Sequence, residues 1–262
     1  MTDRIRLGGM ALSNGVLVHG PTAWGCAVRT PGGELKVAAA KKLFATSSLK
    51  NPVLRGPAKL LESVAVLPQV KRALPEAKLP FERPAVLGSL VATTVTVRLL
   101  RGAPGLSRAA RELLGGLLSF APGVLALSGG QLAEYHGAEH ISIGSYEHGE
   151  PRPREHERCG THLVGPLVVS QAAANVLASV APRRIRRPAR YAASLGALAA
   201  TTELFGWMNR NPDRMLARAL AKPGHEFQHR FATADPTPAQ LEVAEAALQA
   251  CLALEDVDAD QD

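Results

Sequence analysis

Aromatic residues are scarce in this chain of 262 residues: Phe, Tyr and Trp account for 4% of it, although 46% of the residues are hydrophobic. The hydrophobic part is mainly Ala, Leu and Val, so few large rings are present to fill a core. Few Tyr and Trp side chains are left to anchor helices at a membrane–water interface. The high apolar fraction excludes a disordered tail, because such tails contain fewer apolar residues and more charge.

Cysteine is also rare, with only Cys26, Cys159 and Cys251. Three thiols cannot build the disulfide framework of a small secreted protein, which excludes that class. A signal peptide is not recognisable, because Asp3 and Arg4 are followed by a Gly-rich stretch with the character of a β-strand. We therefore expect the beginning of the chain to lie in the cytosol.

Nucleic-acid-binding motifs are absent, although the formal net charge is +7. No basic patch is interleaved with aromatic residues, so we expect no nucleic-acid partner. The densest basic run lies between two long apolar stretches, which favours a loop at a membrane surface with anionic head groups. A solvated, Arg-rich loop fits the same run. Its members are Arg183, Arg184, Arg186, Arg187 and Arg190.

Four stretches in the middle of the chain carry little or no charge and are rich in small residues. They cover residues 84–97, 113–133, 163–182 and 191–208. A helix that spans a bilayer needs about 20 mainly apolar residues, and small residues allow helices to pack closely in lipid. The pattern predicts about four membrane-type helices, of which the first is short. A soluble helical bundle with an Ala-rich core is the alternative, because Ala contributes little to membrane insertion.

The two ends of the chain have different patterns. Residues 7–40 are punctuated by glycine, and the turn signal at 31–33 predicts a small β meander. The apolar residues at 60, 61, 64 and 67 share one helical face and predict an amphipathic segment. A helix capped by Thr237, with Pro238 at its first position, is predicted near the C-terminus.

These patterns predict a mainly α fold with about four membrane-type helices, a small N-terminal β meander and a C-terminal amphipathic helix. The predicted units are an N-terminal β unit at 1–45, an amphipathic, interfacial segment at 46–83, a helical membrane core with the metal site at 84–208, and a cytosolic tail and helix at 209–262.

Histidine is concentrated late in the chain, and its first cluster has the order His-x-x-Glu-His at residues 136–140. If the second apolar helix continues, His136 and His140 lie one turn apart on one face. Two imidazoles at this spacing can hold a Zn²⁺ ion, and Glu139 is placed to act as general base on a metal-bound water. The same order occurs in the inverted zincins.

Two histidines are only half of a metal site, so further ligands must come from elsewhere. Glu203 is the first candidate, because an ionisable group in an apolar stretch needs a partner. A second cluster, at residues 156–162, contributes the rivals Cys159, His156 and His162. A nucleophilic role for Cys159 is a weaker interpretation, since histidines neighbour it only in sequence.

A second zinc-type motif, His-Glu-x-x-His, occurs at residues 225–229. It lies between a Pro-Gly pair at 223–224 and an Asp-Pro pair at 235–236, so its helix would be short. No later stretch offers an evident third ligand. We interpret the motif as a chance match in a histidine-rich region.

The chain resembles the YqhQ-like family of bacterial membrane proteins over nearly its whole length. The most specific shared piece is Tyr-His-Gly-Ala-Glu-His at 135–140, and His-x-Arg-Cys-Gly-Thr follows at 156–161. Glu203 matches a Glu of the family's last span. The family has no established function and is described as predicted metal-dependent enzymes, so the resemblance implies a membrane protein with a metal at these residues. The chain departs from the family at Met10, Asn14 and Ile141.

Together these features predict an integral protein of the cell membrane, with the lipid bilayer as partner and a divalent metal, Zn²⁺, as cofactor. The predicted activity is metal-dependent hydrolysis with Glu139 as the catalytic residue. The predicted metal ligands are His136, His140, Glu203, Cys159 and His156. A non-catalytic membrane protein with a structural metal or a polar network is the alternative, and a soluble basic binding protein is the second. Substrate and oligomeric state stay open, and a homo-oligomer is compatible with the sequence.

Overall fold

The computed structural model describes residues 4–44, 51–119, 121–127, 129–182 and 184–259. In these ranges the protein is mainly helical, with one small N-terminal sheet. The strands are β1 Gly8–Leu12, β2 Gly15–His19, β3 Ala23–Arg29 and β4 Leu35–Lys41. The helices are α1 Pro52–Ala65, α2 Leu67–Ala73, α3 Pro84–Gly102, α4 Arg108–Ser119, α5 Ala121–Leu127, α6 Gly130–His148, α7 Val164–Ser179, α8 Arg186–Arg210, α9 Met215–Phe227 and α10 Pro238–Ala259.

The sheet is an antiparallel meander in which each strand pairs with the next, in the order β1-β2-β3-β4. The turn between β3 and β4 contains Gly33 with a φ of 84°. A side chain would strain the backbone there, so the predicted glycine-rich turn has a steric cause. The meander predicted for residues 7–40 is confirmed.

Helices cover both faces of the sheet, because successive strand residues point to opposite sides. One face, with Val16 and Val18, packs against α6 and α10. The other face, with Trp24 and Cys26, packs against the segment 66–79 that includes α2. Small aliphatic residues and one completely buried indole ring therefore form this core, and few other aromatic residues are needed.

The segment predicted to be amphipathic contains two helices, α1 and α2, and the four apolar residues are divided between them. Leu67 is buried against the sheet, whereas Leu61 and Val64 on α1 remain exposed. The apolar face of α1 therefore has no complete cover within the protein. The domain boundary predicted between residues 45 and 46 lies outside the described residues.

The C-terminal helix α10 lies across the sheet and begins at Pro238, as the sequence predicts. Glu255, near its end, is buried. Its carboxylate accepts hydrogen bonds from the Ala23 N–H at 2.6 Å, from the Thr22 N–H at 2.8 Å and from the Thr22 hydroxyl at 2.9 Å. These three hydrogen bonds connect the end of α10 to the turn between β2 and β3.

The second apolar stretch is not one continuous helix. The backbone breaks between α5 and α6, where the segments Leu114–Leu127 and Gly130–His148 meet at 83°. Gly129 and Gly130 have φ values of 88° and 59°, a conformation that stops an α-helix. The histidine cluster therefore lies on a separate helix, α6, which packs against β1, β2 and α10. The prediction that the cluster lies where one continuous membrane-type helix ends is therefore wrong.

The prediction of about four membrane-type helices is wrong. Among the described residues, one helical stretch, Gly160–Ala178, is long and apolar enough to cross a membrane, and the bent pair that ends in α6 would at most be a second. The apolar part of α3, Pro84–Leu100, is too short, and α8 includes several Arg residues and Glu203. Buried helices of soluble proteins meet the same criterion.

Large apolar side chains nevertheless remain exposed on α3, α7 and α8. They are Leu87, Leu90, Val91, Val95 and Leu99 on α3, Val168, Val169, Val176 and Leu177 on α7, and Tyr191 and Leu195 on α8. Only part of the predicted basic loop is a loop: Arg184 lies between α7 and α8 and is exposed, whereas Arg186, Arg187 and Arg190 belong to the beginning of α8. Arg183 lies outside the described residues.

Candidate metal centre

His136 and His140 lie one turn apart on α6, with 4.3 Å between their ring centroids, and both are buried. Cys159 approaches them from the loop before α7, and its Sγ is 3.5 Å from Nε2 of His136. One ligand atom from each of the three residues lies within 4.8 Å of the other two. No other group of three or more His, Cys, Asp or Glu side chains meets this criterion in the described ranges. The cluster could hold a metal ion.

Backbone carbonyls orient both imidazole rings. Nδ1 of His136 donates to the carbonyl of Ala232 at 2.8 Å, and Nδ1 of His140 donates to the carbonyl of Arg154 at 2.6 Å. A carbonyl oxygen can only accept, so Nδ1 carries the hydrogen and Nε2 is the ligand atom of each ring. Histidines that bind metals are commonly held in this way, which fixes their tautomer and direction.

Two buried atoms at the cluster have no hydrogen-bond partner among the described residues. They are Nε2 of His140 and Oε2 of Glu139. A buried polar atom without a partner costs about 1–3 kcal/mol. A metal ion beside Cys159 would satisfy the free imidazole nitrogen, and imidazole with thiolate is a donor set that zinc prefers. The residues present therefore fit a metal ion.

The charges of the cluster shift its pKa values in opposite directions. Burial would lower the pKa of His136, but the hydrogen bond to Cys159, together with the nearby carboxylate of Glu139, raises it to about 9. Burial would raise the pKa of the Cys159 thiol, but His140 and His136 hold it well below its usual value. Burial also raises the pKa of Glu139. Without a metal, His136 and Cys159 therefore form an imidazolium–thiolate pair.

Two glycines allow other elements to approach the cluster closely. A Cβ atom at Gly9 on β1 would lie 2.3 Å from Oε1 of Glu139. A Cβ atom at Gly137 on α6 would lie 2.1 Å from the carbonyl oxygen of Ala234. At Gly137 the neighbour is a backbone oxygen, so a larger residue would force the backbone apart, whereas at Gly9 it would displace the side chain of Glu139.

His156, a predicted ligand, lies beside the cluster but has another partner. Its ring centroid is 5.5 Å from that of His140, and its Nε2 is 3.4 Å from the Glu147 carboxylate. The same carboxylate accepts a hydrogen bond from the Leu7 N–H and pairs with Arg158. Burial would raise the pKa of Glu147, but these three partners hold it below its usual value. His156 is therefore a neighbour of the ligand group.

Gln228 joins the loop of Cys159 to the turn Gln228–Ala232, which follows α9. It is completely buried. Its side-chain oxygen accepts a hydrogen bond from the His156 N–H at 2.9 Å, and its nitrogen donates to the Thr161 hydroxyl at 2.6 Å. The sequence does not predict this role for Gln228, because no spacing shows which amide side chain becomes buried.

Glu203, the first candidate for a third ligand, has a different partner. Its Oε1 accepts a hydrogen bond from Nε of Arg55 at 2.7 Å, and its Oε2 pairs with a second N–H of the same guanidinium. The described ligand group contains Cys159 instead. A charge in an apolar helix needs a partner, and Glu203 has this partner in Arg55 of α1. Glu203 is therefore not one of the ligands that we propose.

The second zinc-type motif has a looser arrangement. The rings of His225 and His229 are 6.5 Å apart, and both residues are exposed. Nδ1 of His229 is 2.9 Å from the Glu155 carboxylate, and Glu226 pairs with Arg230. In the part of the chain that the structure describes, no ligand group forms around this motif.

Residues 130–254 match the model of a family of proteins of unknown function, DUF1385. The match begins at the first residue of α6 and includes all three residues of the cluster. It is consistent with an uncharacterised family. Neither a curated protein nor a solved structure matches the chain.

Proposed function

We propose that the protein binds one divalent metal ion, Zn²⁺, at His136, His140 and Cys159, and that it is a metal-dependent hydrolase associated with a membrane. The observation that carries the proposal is that two carbonyl-oriented imidazoles and one thiol each bring a ligand atom within 4.8 Å of the other two. Catalytic zinc sites commonly have three protein ligands and keep one position for water. His136, His140 and Cys159 would be these three ligands.

Glu139 is the proposed general base. Its Oε2 is buried and has no partner among the described residues, so it is available to accept a proton. A bound zinc ion would lower the pKa of a water molecule and polarise a carbonyl or phosphoryl oxygen. Glu139 would hold the proton from that water, while the carbonyls of Ala232 and Arg154 keep the ligand rings in place.

Elemental analysis of the purified protein tests the metal site. We expect about one zinc ion per chain in the natural protein, and loss of zinc in the double variant His136→Ala, His140→Ala. The matched control is His225→Ala, His229→Ala, which removes the same two side chains from the competing motif and should retain the metal. Unchanged metal content in the first double variant would refute the site.

Glu139→Gln separates a catalytic metal from a structural one. The variant should keep its zinc and its fold, and it should lose hydrolysis in a screen of chromogenic aryl esters and aryl phosphates. If the natural protein hydrolyses none of them, and Glu139→Gln loses zinc and unfolds, the structural alternative is favoured instead.

A second candidate function is nucleophilic catalysis by Cys159. From the sequence alone this role is the weaker interpretation. In the structure, Sγ lies only 3.5 Å from Nε2 of His136, a separation compatible with a nucleophile and its base before substrate binds. Cys159→His distinguishes the two functions, because imidazole can replace a thiolate as a zinc ligand but not as this nucleophile. Retained zinc with retained hydrolysis supports the metal mechanism, and retained zinc with abolished hydrolysis supports the thiolate.

The membrane part of the proposal is supported by the exposed apolar side chains of α3, α7 and α8 and by the apolar stretch Gly160–Ala178. Contact with lipid would remove these side chains from water. This burial is favourable by about 25 cal/mol for each Å² of apolar surface. We expect the protein in the membrane fraction after a carbonate wash and its release by detergent. Full recovery in the soluble fraction would favour a soluble basic binding protein.

A further inference from the structure

A cavity of about 410 Å³ opens at the protein surface between the end of α8, one side of α9 and the loop around Cys159. This volume falls within the range of small-molecule sites. The cavity contains none of the three residues proposed to hold the metal. An inference about its ligand therefore stands independently of the proposed function.

Four charged side chains line the cavity, three cations and the carboxylate of Glu157, and its net positive charge comes from two side chains of α9. Arg218 and Lys222 lie one helical turn apart and both line the cavity. In the described part of the chain, neither side chain has an ion pair or a hydrogen bond. The third cation at the wall, Arg158, is already paired with Glu147, and the carboxylate of Glu157 lies 3.8 Å from the guanidinium of Arg152. The cavity thus offers two unpaired positive charges on one face of one helix.

The inner wall of the cavity is apolar. Met208 of α8 and Ala217 of α9 are buried there, and Ala221 packs against them. These residues accept a hydrocarbon group but provide no hydrogen bonds. A ligand that fits both parts has a doubly negative head and a short apolar tail.

We propose that this cavity binds a phosphate monoester with an apolar substituent. A phosphate monoester has a second pKa near about 6 and is mainly a dianion at neutral pH, which matches Arg218 and Lys222 in charge. Guanidinium and ammonium groups are the usual phosphate partners in proteins. The apolar wall at Met208 and Ala221 takes the substituent. Both a soluble phosphate ester and the head group of phosphatidic acid have this chemistry.

Calorimetric titration of the full-length protein in a nonionic detergent tests the proposal. We expect hexyl phosphate to bind saturably and inorganic phosphate to bind more weakly, because it lacks the tail. Short-chain phosphatidic acid identifies the source: tighter binding than hexyl phosphate indicates a lipid, and weaker binding indicates a soluble ester. Either result supports the shared chemistry, whereas absence of saturable binding by both esters overturns it.

Variants locate the binding within the cavity. The double variant Arg218→Gln, Lys222→Gln should weaken hexyl phosphate binding by about tenfold or more. Arg214→Gln, Arg72→Gln removes the same two charges from exposed positions outside the cavity and should leave the affinity unchanged. Ala221→Leu keeps all charges, fills the apolar wall and should weaken hexyl phosphate more than inorganic phosphate. Equal weakening by the two charge variants would show general electrostatic attraction and overturn the proposal.

Discussion

The three cysteines differ in reactivity because their surroundings differ. Burial raises the pKa of Cys26 to about 12 and that of Cys251 to about 11. Cys159 has neighbouring imidazoles, and its pKa is well below the usual value. A thiolate reacts with alkylating reagents and a thiol does not. Only Cys159 therefore combines a thiolate with partial exposure.

We expect iodoacetamide to label Cys159 alone in the metal-free protein at neutral pH, as measured by peptide mass spectrometry. Zinc should protect the thiolate. His136→Ala should move the labelling to higher pH, because it removes the imidazolium that stabilises the thiolate. Labelling of Cys26 or Cys251 at the same rate, or an unchanged pH profile in His136→Ala, would contradict the imidazolium–thiolate pair.

Much of the cluster can be predicted from residue spacing. His136 and His140 are four residues apart, and any helix brings them to one face. Cys159 was named only among rivals, because a loop rather than a helix places it. The carbonyls of Ala232 and Arg154 could not be found in this way, since every residue has a carbonyl and only the folded loops select these two.

Helix α6 depends on a close approach to the segment after the turn Gln228–Ala232. Gly137→Ala would force a methyl group against the carbonyl of Ala234. We expect a loss of about 1–3 kcal/mol in the free energy of unfolding, as for other overpacked sites, together with weaker zinc binding. Denaturant unfolding and metal titration measure the two effects.

The matched control is Gly88→Ala on α3. Nothing lies within 4 Å of a Cβ atom at that position, so the substitution should stabilise the helix by up to about 1 kcal/mol and leave zinc binding unchanged. Equal behaviour of the two variants would show that α6 can move away from Ala234 at no cost.

Besides its apolar contacts, helix α10 is hydrogen-bonded to the sheet through the buried carboxylate of Glu255. Glu255→Ala should remove the partner of the buried Ala23 N–H, at about 1–3 kcal/mol, together with the two hydrogen bonds that Thr22 donates to the carboxylate. Glu242→Ala on the same helix breaks a largely exposed ion pair with Arg29 and should cost about 0–1 kcal/mol. Thermal and denaturant unfolding of both variants measures the difference, and equal losses would refute the attachment.

Elements were predictable where local chemistry decides them. The turn at residues 31–33 and the start of α10 at Pro238 agree with the sequence, because glycine and proline restrict the backbone locally. The break between α5 and α6 was not predicted. Gly129 and Gly130 are visible in the sequence, but glycine permits the left-handed conformation without requiring it, and the apolar pattern continues across them.

For the whole molecule, metal binding and folding should be coupled, since the ligands come from α6 and from a distant loop. At a zinc concentration about 100 times Kd, we expect about 2.7 kcal/mol of added stability. The effect should increase as the pH is raised, because zinc displaces a proton from His136, whose pKa without metal is about 9. The pH dependence is measured by thermal unfolding with and without zinc, and the same stabilisation in His136→Ala, His140→Ala would contradict it.

The position of α10 has a consequence for synthesis on the ribosome. The sheet is complete when residue 41 has been made, yet α10, which covers one of its faces, begins only at Pro238. Contacts over such sequence separations form late and slowly. The part of the apolar face that α10 covers therefore stays open while the intervening helices are translated, and until α10 emerges only α6, among the described helices, is available to pack against Val16 and Val18.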